Sequence, residues 1–239
     1  MPNNYFQFKQ FRIEQEKSSM KVCTDSCLFG AWVADKIEKN FINPKTILDI
    51  GAGTGLLSLM LAQKSNAIVN AVEIDKNSFE QTKENFASSP WHQRMQVFHQ
   101  DIKEWKMNLK YDFIISNPPF YENDLKSNTL NKNVAKHHEK LTLKELIQCI
   151  KNNITDNGNF AILLPYHRIG YFTTIAIENG FYLKEKLIVK QTPGHSFFRG
   201  ILLFGTKKAS EIQSELIIKN EDGNYTDEFQ KLLKDYYLK

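Results

Sequence analysis

Three features of this 239-residue sequence predict an α/β fold built on a doubly wound, mostly parallel sheet with an antiparallel hairpin toward the C-terminus. Short apolar runs alternate with helix-like stretches from Thr46 to Pro165, a glycine-rich loop joins the first run to the first helix, and two long β-like runs flank Thr192-Pro193-Gly194. The alternation is the decisive feature. Parallel neighbours are joined by crossovers, usually helical, and those crossovers cover both faces of the sheet.

The elements follow in order. Residues 1–45 are polar and aromatic with little period. Thr46-Ile47-Leu48-Asp49-Ile50 reads as a buried strand, Leu56 to Lys64 as a helix, and Ile68 to Glu73 as a second strand. A helix from Lys76 to Ser88 leads to a third strand, Met95 to Gln100, and Tyr111 to Ser116 is a fourth. Thr142-Leu143-Lys144-Glu145 forms a capping box, opening a helix with Leu143, Leu146, Ile147 and Ile150 on one face. Asn157-Gly158 ends that region, and Phe160 to Pro165 is a fifth strand. A further helix precedes Asn179-Gly180, and Tyr182 to Lys190 and Phe197 to Phe204 pair as the hairpin. Thr226 caps a final helix whose stripe is Phe229, Leu232, Leu233, Tyr236 and Tyr237. This divides the chain into an N-terminal segment (1–45) packing over the site, a catalytic domain (46–208), and a C-terminal strand and helix (209–239) docking on it.

With 41% apolar and 24% charged residues the chain is an ordinary globular protein, which excludes disorder and fibrous structure. No apolar stretch approaches 18 residues and no secretory h-region follows Met1, so a cytoplasmic protein without a membrane partner is expected. Cys23, Cys27 and Cys149 are an odd set without the second ligand pair of a zinc site, so no metal is expected. Charge is uneven: residues 211–239 carry net −3 and residues 1–210 net +7. A basic body accommodates a polyanion.

Ligands of doubly wound sheets sit at the carboxyl ends of the strands. There Asp49-Ile50-Gly51-Ala52-Gly53-Thr54-Gly55 turns into the first helix, with glycines letting the backbone approach a ligand and helix NH groups facing it. A dinucleotide loop would need a third glycine where Leu56 stands. Gly-x-Gly-x-Gly after an acidic residue resembles instead the S-adenosylmethionine loop of Rossmann-like methyltransferases. Glu73, at the end of the second strand, can accept both ribose hydroxyl protons. Asp101, just past the third strand, falls where the adenine amino group lies in that class.

The fourth strand runs into Asn117-Pro118-Pro119-Phe120. Two prolines cannot continue a ladder and fix a rigid extended turn, holding the Asn117 amide and the Pro118 carbonyl where a planar amine could donate a hydrogen to each. The tetrapeptide resembles the Asn/Asp/Ser-Pro-Pro-Phe/Tyr signature of enzymes that methylate conjugated nitrogens: adenine N6, cytosine N4, guanine N2 or glutamine N5. Two acceptors favour a pyramidal nitrogen whose lone pair meets the methyl group, so no strong base is required. Phe120 offers a face for an extruded base.

Met20-Lys21-x-x-Thr24-Asp25, the tetrapeptide, Ala135-Lys136-His137, Pro193-Gly194, the Arg199 strand and Asp222-Gly223-x-Tyr225-Thr226 together resemble the bacterial valine tRNA (adenine-N6)-methyltransferases, which act on adenine 37 in the anticodon loop. The resemblance implies a seven-stranded Rossmann-like methyltransferase sheet, S-adenosyl-L-methionine as cofactor and tRNA as partner. It implies catalytic roles for Asn117, Pro118 and Phe120, and cofactor contacts from Asp49, Gly51, Gly53, Gly55, Glu73, Asp101 and Asn117. Thr24 and Asp25 are expected to cap the helix over the cofactor, with Asp25 near its methionyl end. Phe120, Tyr121, His137, Lys190 and Arg199 are the candidate RNA contacts. Cys23 stands where the pattern expects glycine. Open alternatives are a release-factor glutamine N5-methyltransferase, an rRNA guanine N2-methyltransferase, and a non-catalytic S-adenosylmethionine-binding RNA module.

Overall fold

The computed structural model describes residues 3–18, 20–107, 109–119 and 141–238. Chain order is β1 (Tyr5–Gln7), β2 (Arg12–Glu14), α1 (Thr24–Glu38), β3 (Thr46–Ile50), α2 (Leu56–Lys64), β4 (Ile68–Glu73), α3 (Lys76–Ala87), β5 (Met95–His99) and β6 (Tyr111–Ser116). Beyond residue 140 come α4 (Leu143–Asn153), β7 (Ile154–Pro165), α5 (Ile169–Glu178), β8 (Tyr182–Lys190), β9 (Phe197–Gly205), β10 (Ile212–Ile217) and α6 (Asp227–Leu233).

The main sheet is ordered β10-β8-β9-β7-β6-β3-β4-β5, and β1 and β2 form a separate hairpin. From β4 through β3 and β6 to β7 the pairings are parallel, whereas β9 runs antiparallel to both β7 and β8. This is the expected Rossmann-like sheet with one more strand than the seven expected. β10 pairs in parallel with β8, Ile212 opposite Glu185 through Ile217 opposite Lys190, and so covers the edge that β8 would otherwise expose.

Alternation along the strands sorts their side chains into two cores. Ile47, Phe113, Ile115, Ala161 and Leu163 face one cluster with α1, α2 and α6, while Leu48, Ile50, Ile114, Phe160 and Ile162 face another with α4 and α5. Most of α1 is buried, including Leu28, Phe29, Trp32 and Val33, each contributing roughly 1.5–3 kcal/mol of apolar transfer. The capping box at Thr142 forms as expected, its hydroxyl accepting from Glu145 N and the Glu145 carboxylate accepting from Thr142 N.

Two expectations are corrected here. β7 begins at Ile154 rather than Phe160: Tyr111 pairs with Ile154 and Phe113 with Asn159, so Asn157-Gly158 belongs to an irregularity inside the strand and does not precede it. The last helix stops at Leu233, and Tyr236 and Tyr237 lie beyond it. Tyr236 donates its hydroxyl to Met60 O at 2.9 Å, and Tyr237 bridges to Phe8. No helix among the described residues is long and apolar enough to cross a membrane.

Candidate active site

From β3 the chain steps outward to β4 and β5, then crosses back to β6 on the other side, so a crevice opens at the carboxyl ends of β3 and β6. A cavity of about 940 Å3 occupies it, within the size range of small-molecule sites. Its lining includes Gly51, Gly53, Glu73, Asp101, Asn117 and Pro118, all of them sequence candidates, which the fold brings together from four strand ends.

The glycine loop is held from behind. Gly51 N and Ala52 N donate to Val72 O, Thr82 Oγ1 donates to Gly53 O at 2.9 Å, and Asn85 Nδ2 donates to Thr54 O at 2.8 Å. Gly51 and Gly53 have φ of +77° and +61°, conformations that disfavour a side chain. A Cβ on either would meet nothing within 4 Å and would project into free space, so the loop forms a cradle sized for a ligand pressed against the backbone.

Glu73 anchors the far side. One carboxylate oxygen accepts from Gly53 N and the other from Asp75 N, both at 2.8 Å. Burial raises its pKa, a tendency those NH bonds oppose. Each oxygen keeps a lone pair for another donor. Ile74, half exposed just beyond it, and the buried Ile102 add apolar faces to the same cavity.

Across the crevice, β6 delivers Asn117. Its Nδ2 donates to Ser26 Oγ at 2.9 Å, whereas its Oδ1 is buried with no hydrogen-bond partner among the described residues. A buried carbonyl oxygen lacking a donor is costly unless a ligand supplies one. Ser26 sits in the first turn of α1, with its oxygen 3.0 Å from Cys23 Sγ. The sequence assigns no site role to Ser26, Ser18, Met20, Ile74 or Ile102. Met20 is present only as the first residue of the Met-Lys-x-x-Thr-Asp segment, and Ile74 only as an apolar residue directly after an acidic strand end.

Several candidates stand elsewhere. Asp49 is fully buried beneath the loop, where Oδ2 accepts from Ser58 Oγ at 2.7 Å and Ser58 N at 3.2 Å. Burial pushes its pKa up to about 7, and its role is to set the start of α2 rather than to line the cavity. Gly55 (φ +78°) faces the protein: a Cβ there would lie 2.7 Å from the Phe86 ring. Thr24 makes no cap. The N-cap is Cys23, extended at φ −130°, which any residue adopts, so the absent glycine costs nothing there. Asp25 does not cap α1 across its first turn either. Its Oδ1 accepts from the adjacent Ser26 N, and its Oδ2 is held by Arg199 Nε at 2.8 Å. That ion pair, at 25% and 15% side-chain exposure, ties Arg199 to α1. Asp101 lines the cavity and also caps the short turn Ile102–Glu104, accepting from Lys103 N at 2.9 Å. Lys190 stands 4.5 Å over the Phe197 ring. Phe120, Tyr121 and His137 lie outside the described residues. Among the described residues no cluster of three His, Cys, Asp or Glu side chains could hold a metal ion.

The parallel sheet with its switch-point cavity and antiparallel β9 defines a Rossmann-like methyltransferase fold. A solved structure described as a predicted O-methyltransferase of Agrobacterium tumefaciens superposes with a TM-score of 0.65 at 16% identity, covering 88% of this chain and 96% of that one. Residues 30–183 match the methyltransferase small domain family. A tRNA1(Val) (adenine(37)-N6)-methyltransferase of Flavobacterium johnsoniae is 39% identical over 98% of this chain and 99% of its own length. One of Dyadobacter fermentans is 40% identical over the full length of both. The chain belongs to this tRNA1(Val) (adenine(37)-N6)-methyltransferase family.

Proposed function

We propose that the protein binds S-adenosylmethionine in the switch-point cavity and methylates N6 of an adenine in tRNA, adenine 37 in the anticodon loop of valine tRNA. The observation that carries this reading is that Asn117, which lines one cavity together with the glycine cradle and Pro118-Pro119, keeps a buried Oδ1 with no hydrogen-bond partner among the described residues. The residues fit the cofactor. Gly51 and Gly53 leave room for a methionyl chain against the backbone, the Glu73 oxygens accept from ribose hydroxyls, and Ile74 and Ile102 cover an adenine face, with Asp101 at its edge. Bound there, the cofactor supplies an electrophilic methyl group on a sulfonium sulfur.

The protein's own contribution is orientation. Asn117 Oδ1 accepts one hydrogen of the exocyclic amine and the Pro118 carbonyl the other, which disfavours the planar, conjugated nitrogen of the ground state. Ser26 keeps the amide turned with its oxygen toward the substrate. Phe120, next along from Pro119, takes the face of the extruded base. Nothing in this scheme requires a side-chain base before attack. Variant Asn117→Ala should bind cofactor normally in calorimetry yet methylate unmodified valine tRNA about 100-fold more slowly or worse, with N6-methyladenine read by mass spectrometry. Methylation of a release-factor glutamine in place of tRNA would refute the assignment.

A further inference from the structure

β9 runs antiparallel to β7 with Arg199 opposite Pro165, so the residues just after β7, those opening β9 and the end of β8 all lie at the same carboxyl edge as Asn117. This corner gathers rings and cations at the protein surface, Tyr166 and Tyr171 exposed and Phe197, Lys190 and Arg168 half-buried. Tyr166 is 44% exposed, and its ring centroid is 5.1 Å from that of Phe197, which in turn lies under Lys190. Tyr171, 42% exposed, has the Arg168 guanidinium 5.3 Å from its ring. Arg168 also lines a small apolar cleft with Pro118, Pro119, Leu164 and Pro165, so the cleft links the catalytic turn directly to this corner.

An adenine drawn out of a loop leaves its neighbours without stacking partners, and a protein that acts on single-stranded RNA replaces that stacking with aromatic faces beside cations. The corner offers both. Lys190 has no carboxylate partner among the described residues, which leaves its charge available to a phosphate. The net charge of +7 over residues 1–210 favours the same polyanion.

We infer that Tyr166 and Phe197 form a stacking platform for the unpaired nucleotides flanking the target adenine, with Lys190 contacting their backbone. The inference rests on the tRNA reading above and locates where the strand leaves the catalytic turn: past Pro165, over the β8–β9 corner. A peptide substrate would have no bases to stack there.

The test is single-turnover methylation of unmodified valine tRNA at saturating cofactor, with the half-saturating tRNA concentration and the maximal rate measured separately. Variants Tyr166→Ala and Phe197→Ala should each raise the half-saturating concentration about tenfold or more while cofactor affinity stays unchanged. Lys190→Ala should lower the slope of log affinity against log salt by about 0.7. Tyr182→Ala, an equally exposed ring at the opposite end of β8, should behave as wild type. Half-saturation within twofold of wild type for both ring variants overturns the platform and leaves the methylation reading standing. Wild-type protein that fails to methylate tRNA overturns that reading itself.

Discussion

Removing the Ser26 hydroxyl isolates the part of catalysis that depends on which way the Asn117 amide points. In the wild-type protein Nδ2 donates to Ser26 Oγ at 2.9 Å, and this bond selects the rotamer whose oxygen is left unpartnered for substrate. In Ser26→Ala the two amide orientations lose their main discriminator, a neutral hydrogen bond worth about 0.5–1.5 kcal/mol net. Left without that bias the two orientations become about equally populated, so the maximal methyl-transfer rate should fall by up to about twofold. Asn117→Ala, which deletes the acceptor itself, should cost about 100-fold or more. Because Ser26 acts through Asn117, the double variant should be no slower than Asn117→Ala alone, a coupling readable in a double-mutant cycle. Single-turnover rates on valine tRNA supply the cycle, and calorimetry with S-adenosylmethionine supplies the control. If Ser26→Ala slows the Asn117→Ala background by the same factor as it slows wild type, Ser26 contributes only to folding and the argument fails.

Three further perturbations bear on the cofactor side. Gly53→Ala should weaken cofactor binding at least tenfold, since its Cβ enters the cradle, while αL strain lowers stability by only about 1–2 kcal/mol; calorimetry and denaturant melts separate the two. Glu73 has a pKa raised by burial, so cofactor affinity should fall with decreasing pH at a higher pH than for an ordinary glutamate. Glu73→Gln should bind weakly at every pH, and a wild-type affinity that falls at no higher pH than an ordinary glutamate's titration would contradict the ribose role. Asp49 has a folded-state pKa raised from 3.8 to about 7, so the folded state holds its proton more tightly than the unfolded one. The associated stability is therefore complete below the unfolded value and lost as pH rises through about 7, by at most about 4 kcal/mol at 1.36 kcal/mol per pH unit. Asp49→Asn should remove that decline, and parallel stability curves for variant and wild type would show that Asp49 is ionised.

The strands of the core were legible because each is short, doubly buried and bounded by turn residues. β3, β4 and β6 have the limits that apolar runs alone assign, and the glycine loop follows from its spacing. Contacts between distant segments were less legible. Nothing local to Thr24-Asp25 says that Asp25 will be held by Arg199 of β9, so a helix cap was the natural reading and a wrong one. Asp49 carries the sign of a ligand contact, yet its depth below the loop is set by Ser58, nine positions on. Ser26 has no motif at all: a serine at a helix start reads as ordinary N-terminal chemistry until β6 brings Asn117 to it. β10 was expected as a strand, but its parallel seat on β8 is decided by which sheet edge remains open.

The pairing of Phe8 with Tyr237, reinforced by Lys9 N donating to Tyr236 O at 2.8 Å, ties the β1–β2 hairpin to the segment after α6. Contacts this far apart in sequence carry a large loop-closure entropy and are expected to form late in folding. Truncation before Tyr236 should therefore loosen the hairpin while the parallel pairings of β3, β4 and β6 persist, a difference that hydrogen exchange would resolve residue by residue.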